Sequence, residues 1–277
     1  MGAAAIFARY ALAGAAPLVV AALRLSLASA VLLAIGALHR KPMTPLPRAQ
    51  RALLWAAGAA LAVHFATWIA SLEYTTVAVS TLLVSTSPLW TTLYDAVVRG
   101  RRFPLAVPLA FITGIAGLVL VTSSNRSLPP HPGHAILGAT LALIGSAAFA
   151  AYLLLVRDVR ARAGTRTIVT TTYTAAALLL IVAALCAREP LPDLHAYGAW
   201  GGIVAMALVS QLLGHTGMNA ALRWFSPTAV SFSTLLEPVI AALLALLLFG
   251  ETLSGVAIAG ALLLLGSIGV VLWTAPD

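Results

Sequence analysis

Glu237 is the first place to look for chemistry, because it lies in a run of apolar residues, LEPVIAALLALLLF. A charge centred in hydrocarbon costs about 2.5–3.5 kcal/mol on insertion scales, so such a residue needs a reason. At helical spacing Glu237 shares a face with Val230, Ser233, Thr234, Ala241 and Leu244. It suits a protonatable or cation-attracting group beside a cavity, or a structural carboxyl held near the carbonyl that Pro238 frees. His64 and Trp68 lie four apart, on one face with Ser71, and Gln211, His215 and Asn219 share another. Such faces could wall a polar, aromatic cavity for an amphipathic or cationic solute. Hydrogen bonding between helices would use the same residues. Ser80, Ser87, Thr91 and Tyr94 form a further stripe beside Trp90, although Trp90 and Tyr94 also suit a membrane–water interface. Candidate cavity residues are therefore His64, Trp68, Ser87, Trp90, Thr91, Tyr94, Gln211, His215, Asn219, Ser233 and Glu237.

Pro88 and Pro238 each lack an N–H and strain the preceding turn, which makes them hinges for a moving helix or static bends. Arg24, and Arg9 before it, could attract a carboxylate, pair with a neighbouring helix or snorkel. Asp95 lies four before Arg99 and reads as a local ion pair. No carboxylate or thiol accompanies either histidine at ligand spacing, so no metal is expected. Paired aspartates, HExxH, a glycine-cradled serine and a phosphate-binding loop are all missing, and the GHTG of residues 214–217 has no serine. Neither an enzyme nor a cofactor is expected.

The elements that position these residues follow from composition. Of 277 residues, 61% are hydrophobic and only 9% charged, with a mean hydropathy of +1.00; soluble domains carry about 25% charged residues. Soluble, disordered and disulfide-scaffold classes are excluded, and the lone Cys186 makes no intrachain disulfide. A helix needs roughly 20 apolar residues to cross a bilayer. Nine stretches qualify: 17–38, 52–72, 77–98, 104–122, 134–156, 168–187, 197–222, 228–249 and 254–274. The piece from Gly2 to Ala13 is too short to cross alone. Runs such as Ala241 to Phe249 are apolar throughout, unlike the alternating strands of a barrel. Small-residue faces (Gly138, Ala142, Ser146, Ala150, and Gly198, Gly202, Ser210, Gly214) predict close helix packing.

Twelve of the 16 basic side chains fall in alternate loops, at 40–51, 99–102, 157–166 and Arg223. The positive-inside rule makes that side cytoplasmic. With the first segment counted as a helix, there are ten helices and both termini are cytoplasmic, in a multi-pass protein of the cell (inner) membrane. The net charge of +8 is then an orientation signal with possible anionic-lipid contacts, and no nucleic-acid partner is expected.

The chain also repeats itself. At an offset of 150 residues, Pro88 falls on Pro238, Leu72 on Leu222, Tyr74 on Trp224 and Gly100 on Gly250. A two-residue gap then aligns Gly114 and Gly117 with Gly266 and Gly269. Glu73 faces Arg223 and Arg101 faces Glu251, so charges swap sign between the copies. An odd-numbered unit of five helices enters the membrane from opposite sides in its two copies, and positive-inside selection then demands that swap. Inverted repeats of this kind mark secondary transporters that bind substrate near the midplane between the halves. The expected division is 1–133 and 134–277. Residues 2–10 resemble 145–152, which leaves the first helix short or truncated.

LEPVIAALLALLLFGE (Leu236 to Glu251), STSPLWTTLYDAVVRGRR (Ser85 to Arg102) and PLVVAALRLSLASAVLLA (Pro17 to Ala34) give the chain a resemblance to the drug/metabolite transporter superfamily, EamA-type ten-helix branch. The resemblance implies an all-α membrane protein with a 5+5 inverted repeat around a central cavity. It implies a secondary transporter exporting amino acids, other metabolites or cationic drugs. The first copy departs from the second in having Ser87 where Glu237 precedes the proline. The expected partners are a small-molecule substrate, the lipid bilayer and protons as a coupling ion. Alternatives are a facilitative exchanger, a channel-like uniporter or an intramembrane lipid-modifying enzyme.

Overall fold

The computed structural model describes residues 1–40, 43–124, 133–221, 224 and 236–274. All regular structure among them is helical: α1 (Ala4–Leu12), α2 (Pro17–Leu38), α3 (Arg48–Tyr74), α4 (Val77–Val84), α5 (Ser87–Val97), α6 (Ala106–Ser124), α7 (Ala135–Arg160), α8 (Thr165–Cys186), α9 (Tyr197–Ala205), a π-helical segment (Met206–His215), α10 (Thr216–Ala221), α11 (Leu236–Phe249) and α12 (Gly255–Thr274). With α9 to α10 taken as one continuous rod, seven helices among the described residues are long and apolar enough to cross a membrane, and α11 is a shorter apolar one. Large apolar side chains such as Ile136, Leu247 and Trp273 face outward. A water-soluble protein would not expose so much apolar surface, whereas hydrocarbon solvates it. The chain is a multi-pass integral membrane protein.

Helix pairing is regular. α3 packs along α7, α2 along α8, α6 along α12, α1 against α9, and α4 against α11. Small residues permit the closest approaches. A methyl group on Gly117 would sit 2.6 Å from the Gly260 carbonyl oxygen, so α6 and α12 meet backbone to backbone. The main core, including Leu25, Leu61, Phe65, Leu72, Tyr152 and Ile168, fills the space between α2, α3, α7 and α8. A second cluster joins Val79, Leu83, Val121, Leu264 and Ile268.

The aligned glycines of the two copies lie just beyond corresponding helices, Gly100 three residues after α5 and Gly250 directly after α11. Gly100 and Gly250 have φ of 65° and 66°, a conformation that suits glycine. Beyond each, the Arg101 N–H donates to the Asp95 carbonyl (3.0 Å) and the Glu251 N–H to the Ala245 carbonyl (3.2 Å). Both bonds reach back six positions, so the chain makes the same turn at two places 150 positions apart.

Two departures from regular helix bear on function. The 77–98 stretch, expected as one kinked span, is broken into α4 and α5 at Ser85–Thr86. Pro88 lies in the first turn of α5 and has no N–H to continue α4. The Thr81 and Leu83 carbonyls, which accept the Ser85 and Thr86 N–H groups at 3.2 Å each, also accept the hydroxyls of Ser85 (2.8 Å) and Thr86 (2.7 Å), so these two residues close the end of α4. The second departure is the ten-residue π segment, a rare geometry frequent at functional sites. It carries both Gln211 and His215.

Candidate functional site

A cavity of about 70 Å³ lies between the two halves of the chain. From the first half its wall includes Arg24 of α2, His64, Phe65 and Trp68 of α3, and Ser85 and Ser87 at the α4–α5 break; from the second it includes Phe149 of α7, His215 of the π segment and Glu237 of α11. Met1, Ala4 and Val84 complete it. The space holds a few water molecules or a compact solute, well below the roughly 300–1,000 Å³ of drug-sized pockets.

The aromatic side is a connected stack. His64 lies parallel to Trp68, with ring centroids 6.2 Å apart and planes 4° apart. It also meets Phe65 edge-on at 4.6 Å and Phe149 at 4.9 Å. His215 meets Phe65 at 5.6 Å and Phe149 at 5.8 Å, so the two histidines flank the same pair of phenyl rings. The Gly145 carbonyl accepts a bond from His64 Nδ1 at 2.8 Å, which places the proton on Nδ1. Gly145 has no side chain to hold that carbonyl away: a methyl there would press to 3.1 Å from Thr67 Oγ1.

Arg24 is fully buried. Its Nε and Nη2 both donate to Gln211 Oε1, at 3.1 and 2.7 Å, joining α2 to the π segment. Its guanidinium lies 4.1 Å from the centre of the Phe65 ring and 5.8 Å from that of Trp68, a cation–π arrangement in a dry setting. Arg24 Nη1 has no hydrogen-bond partner, and neither do Trp68 Nε1 nor Gln211 Nε2.

The residues singled out by sequence thus separate. His64, Trp68, Ser87, His215 and Glu237 wall one cavity, and Gln211 reaches it through Arg24. Asn219 is buried elsewhere: its Nδ2 donates to the His215 carbonyl (2.9 Å) and its Oδ1 accepts Arg160 Nη2 (2.7 Å), tying α10 to the end of α7. Trp90, Thr91 and Tyr94 do not contribute to the cavity wall. Trp90 and Tyr94 are each 37% exposed, and Thr91 bonds back to the Pro88 carbonyl at 3.0 Å. Ser233 lies outside the described residues. Pro88 sits at the α4–α5 break and Pro238 in the first turn of α11. Asp95 and Arg99 form the expected pair at 3.6 Å. No group of three metal-ligating side chains occurs among the described residues.

Phe65 and Phe149 were not singled out by sequence, because a phenylalanine inside an apolar run carries no signal of its own. Arg24 carried one, as a charge inside an apolar span, but its partner Gln211 is 187 residues away.

The described residues form a helical membrane bundle whose mostly apolar cavity carries a few charged and polar side chains. The EamA-like transporter family matches residues 1–123 and again 136–273, and the chain belongs to that family. A solved crystal structure of a protein shares 21% identity with it and has a TM-score of 0.65, over 97% of this chain and 94% of that one. At that identity the likeness speaks for the fold alone. None of the curated proteins compared matches this chain.

Proposed function

We propose that the protein is a secondary transporter that exports a small metabolite by alternating access, with the solute held in the cavity between residues 1–133 and 134–277. The observation that carries this reading is a cavity walled from both halves, by His64, Trp68 and Ser87 on one side and His215 and Glu237 on the other. In this reading the chain forms ten helices, with α4 and α5 as one broken span and α9 to α10 as another. The pairing pattern supports a two-fold relation. The first helix of each half packs on the third of the other (α1 on α9, α7 on α3), and the second, fourth and fifth pack on their own equivalents. The matching turns at Gly100 and Gly250 point the same way.

Pro88 and Pro238 serve as the hinges, since each removes one main-chain bond at the level of the cavity. The arginine-rich loops support an orientation with both termini in the cytoplasm and the protein in the inner membrane. Glu237 is the residue that would carry a coupling proton, being the one carboxylate on the described cavity wall. Solutes that fit the wall are amino acids and compact amphipathic cations.

Counterflow in proteoliposomes tests the reading. Vesicles preloaded with a mixture of amino acids and cationic amines, analysed by mass spectrometry, should show saturable exchange of at least one compound. Glu237→Gln, Trp68→Ala and His215→Ala should each lower that exchange by about tenfold or more, the loss of one strong contact. Unsaturable flux would favour a channel. Exchange unchanged by all three substitutions would move the site elsewhere.

A further inference from the structure

Arg24 stands inside the bundle without a counter-charge. It has no exposure to solvent, and among the described residues no carboxylate forms an ion pair with it. Glu237 shares the cavity wall, but of the two cations that act on it the Met1 ammonium is the stronger. An isolated buried ion costs far more than a buried neutral group, so the guanidinium calls for an anion. Its hydrogen bonding is incomplete as well. Nε and Nη2 are both spent on Gln211 Oε1, an oxygen with no formal charge, and Nη1 has no acceptor. Trp68 Nε1 and Gln211 Nε2 are likewise buried donors with no acceptor among the described residues. Buried polar groups nearly always have a partner, and arginine and the indole N–H can only donate. Arg24 and Trp68 both wall the cavity, with the guanidinium carbon 5.8 Å from the centre of the Trp68 ring. One acceptor atom, about 3 Å from a donor on either side, spans that gap.

From this we infer that the cavity is a binding site for a small monovalent inorganic anion of the chloride class, held between Arg24 Nη1 and Trp68 Nε1 as the resident counter-ion of Arg24. A space of about 70 Å³ admits a monatomic ion and leaves room beside it. The rest of this wall is aromatic, Phe65 and Phe149 included, which favours a singly charged ion over a doubly charged one that sheds its water at greater cost. Gln211 is a positioning residue: by accepting from Nε and Nη2 together, Oε1 fixes the plane of the guanidinium and so the direction of Nη1. Both bonds to the ion are charge-assisted and lie in a dry setting, where each is stronger than a neutral bond. The site stands on the cavity and its donors, whether or not the chain exchanges a solute.

The full chain is purified in detergent micelles in sodium gluconate, whose anion is too large for the cavity. Gluconate is then replaced stepwise by chloride or bromide at constant total salt, which holds screening fixed, and the melting temperature is followed. The expected result is a saturable rise with either halide. Trp68→Phe keeps the aromatic packing and removes one N–H, so the half-saturating chloride concentration should increase about tenfold. Arg24→Gln should abolish the rise, and should that variant not fold, Trp68→Phe decides alone. A melting temperature indifferent to the exchange of gluconate for chloride overturns the inference. So does a rise that never saturates, or one whose midpoint is unchanged in Trp68→Phe or in a folded Arg24→Gln, which would assign the ion to the arginines of the loops. Counterflow keeps this site and the transport reading apart. Chloride binding that depends on Arg24, in a chain that exchanges no solute, keeps the site and removes the transporter. Solute exchange in a chain that is indifferent to chloride does the reverse.

Discussion

Two carboxylates close the two ends of the bundle, and they do so in unlike surroundings. Glu251, just beyond α11, is 8% exposed and pairs at 3.5 Å with Arg9, itself 16% exposed. Its other oxygen accepts the Val77 N–H at 2.8 Å, capping α4, while Arg9 Nη1 donates to the Leu72 carbonyl at 3.1 Å, at the end of α3. One cluster thereby ties α1, α3, α4 and the turn after α11. At the same end Glu189 accepts the Val19 N–H at 3.0 Å and caps α2. Both carboxylates sit at positive ends of helix dipoles. At the arginine-rich end, Asp95 is shared by Arg99 (3.6 Å), Arg157 (3.5 Å) and Arg101 (3.9 Å), and those arginines are 39–45% exposed. Among the described residues that carboxylate, itself 13% exposed, bonds no helix terminus, and its partners are hydrated. The lesson is that ion pairs placed at equivalent ends of the two copies differ in strength, because only one of them also satisfies main-chain groups.

Glu251→Ala gives the largest effect. It leaves the Val77 N–H without its acceptor and Arg9 without its counter-charge in a mostly buried place, a loss of about 2–3 kcal/mol. Thermal unfolding of the full chain in detergent micelles measures it against the same substitution at Asp95. Equal losses at the two ends would break the comparison.

A subtler test separates charge from hydrogen bonding at the same residue. Burial raises the Glu251 carboxyl above its usual range, and Arg9 and the Val77 and Ala78 N–H groups pull it only part of the way back. Because the folded carboxyl is raised above the unfolded one, protonation favours the fold. That share of stability is whole below the ordinary carboxylate range and is lost as pH climbs through the raised folded value. Glu251→Gln keeps an acceptor for Val77 and never ionises. Its melting temperature should therefore fall less than that of the wild type between about pH 4 and pH 7. Parallel curves would show that the ion pair and main-chain bonds cancel the burial, and a wild type that falls less than Glu251→Gln would show that the ion pair dominates.

Much of this was legible in the sequence, for physical reasons that differ by element. The spans at 17–38 and 254–274 were legible because a helix in hydrocarbon must be apolar over a fixed length, and α2 and α12 occupy almost the same residues. The repeat was legible through Pro88, Pro238, Gly100 and Gly250, whose backbone requirements admit few other residues. The α4–α5 break was half legible: Pro88 signals a disturbed turn, but whether the turn bends or parts depends on Ser85 and Thr86 turning back, N–H and hydroxyl together, onto the Thr81 and Leu83 carbonyls. The π segment was not legible, since an extra residue per turn leaves no compositional trace. Helical spacing correctly grouped His64 with Trp68, and it grouped Asn219 with His215 as well. Which member of a face reaches a cavity depends on its partner helix, and Arg160 claims Asn219.

The smallest expected effect lies at Asp95, and salt reveals why. Asp95 is 13% exposed but its arginine partners are 39–45% exposed, and an ion pair with hydrated partners contributes about 0–1 kcal/mol because long side chains must be ordered to gain a screened Coulomb term. Three arginines around one carboxylate also repel one another, so Asp95→Asn removes an attraction and leaves that repulsion in place. Screening acts on both: the Debye length shortens from about 10 Å at 0.1 M salt to about 3 Å at 1 M. The difference in melting temperature between Asp95→Asn and the wild type should therefore shrink toward zero as sodium chloride is raised over that range. The difference for Glu251→Ala should persist, since its main-chain bond to Val77 lies out of reach of the ions. A salt-independent loss at Asp95 would mean that this end is held by desolvated contacts too, and the two ends would then be equals.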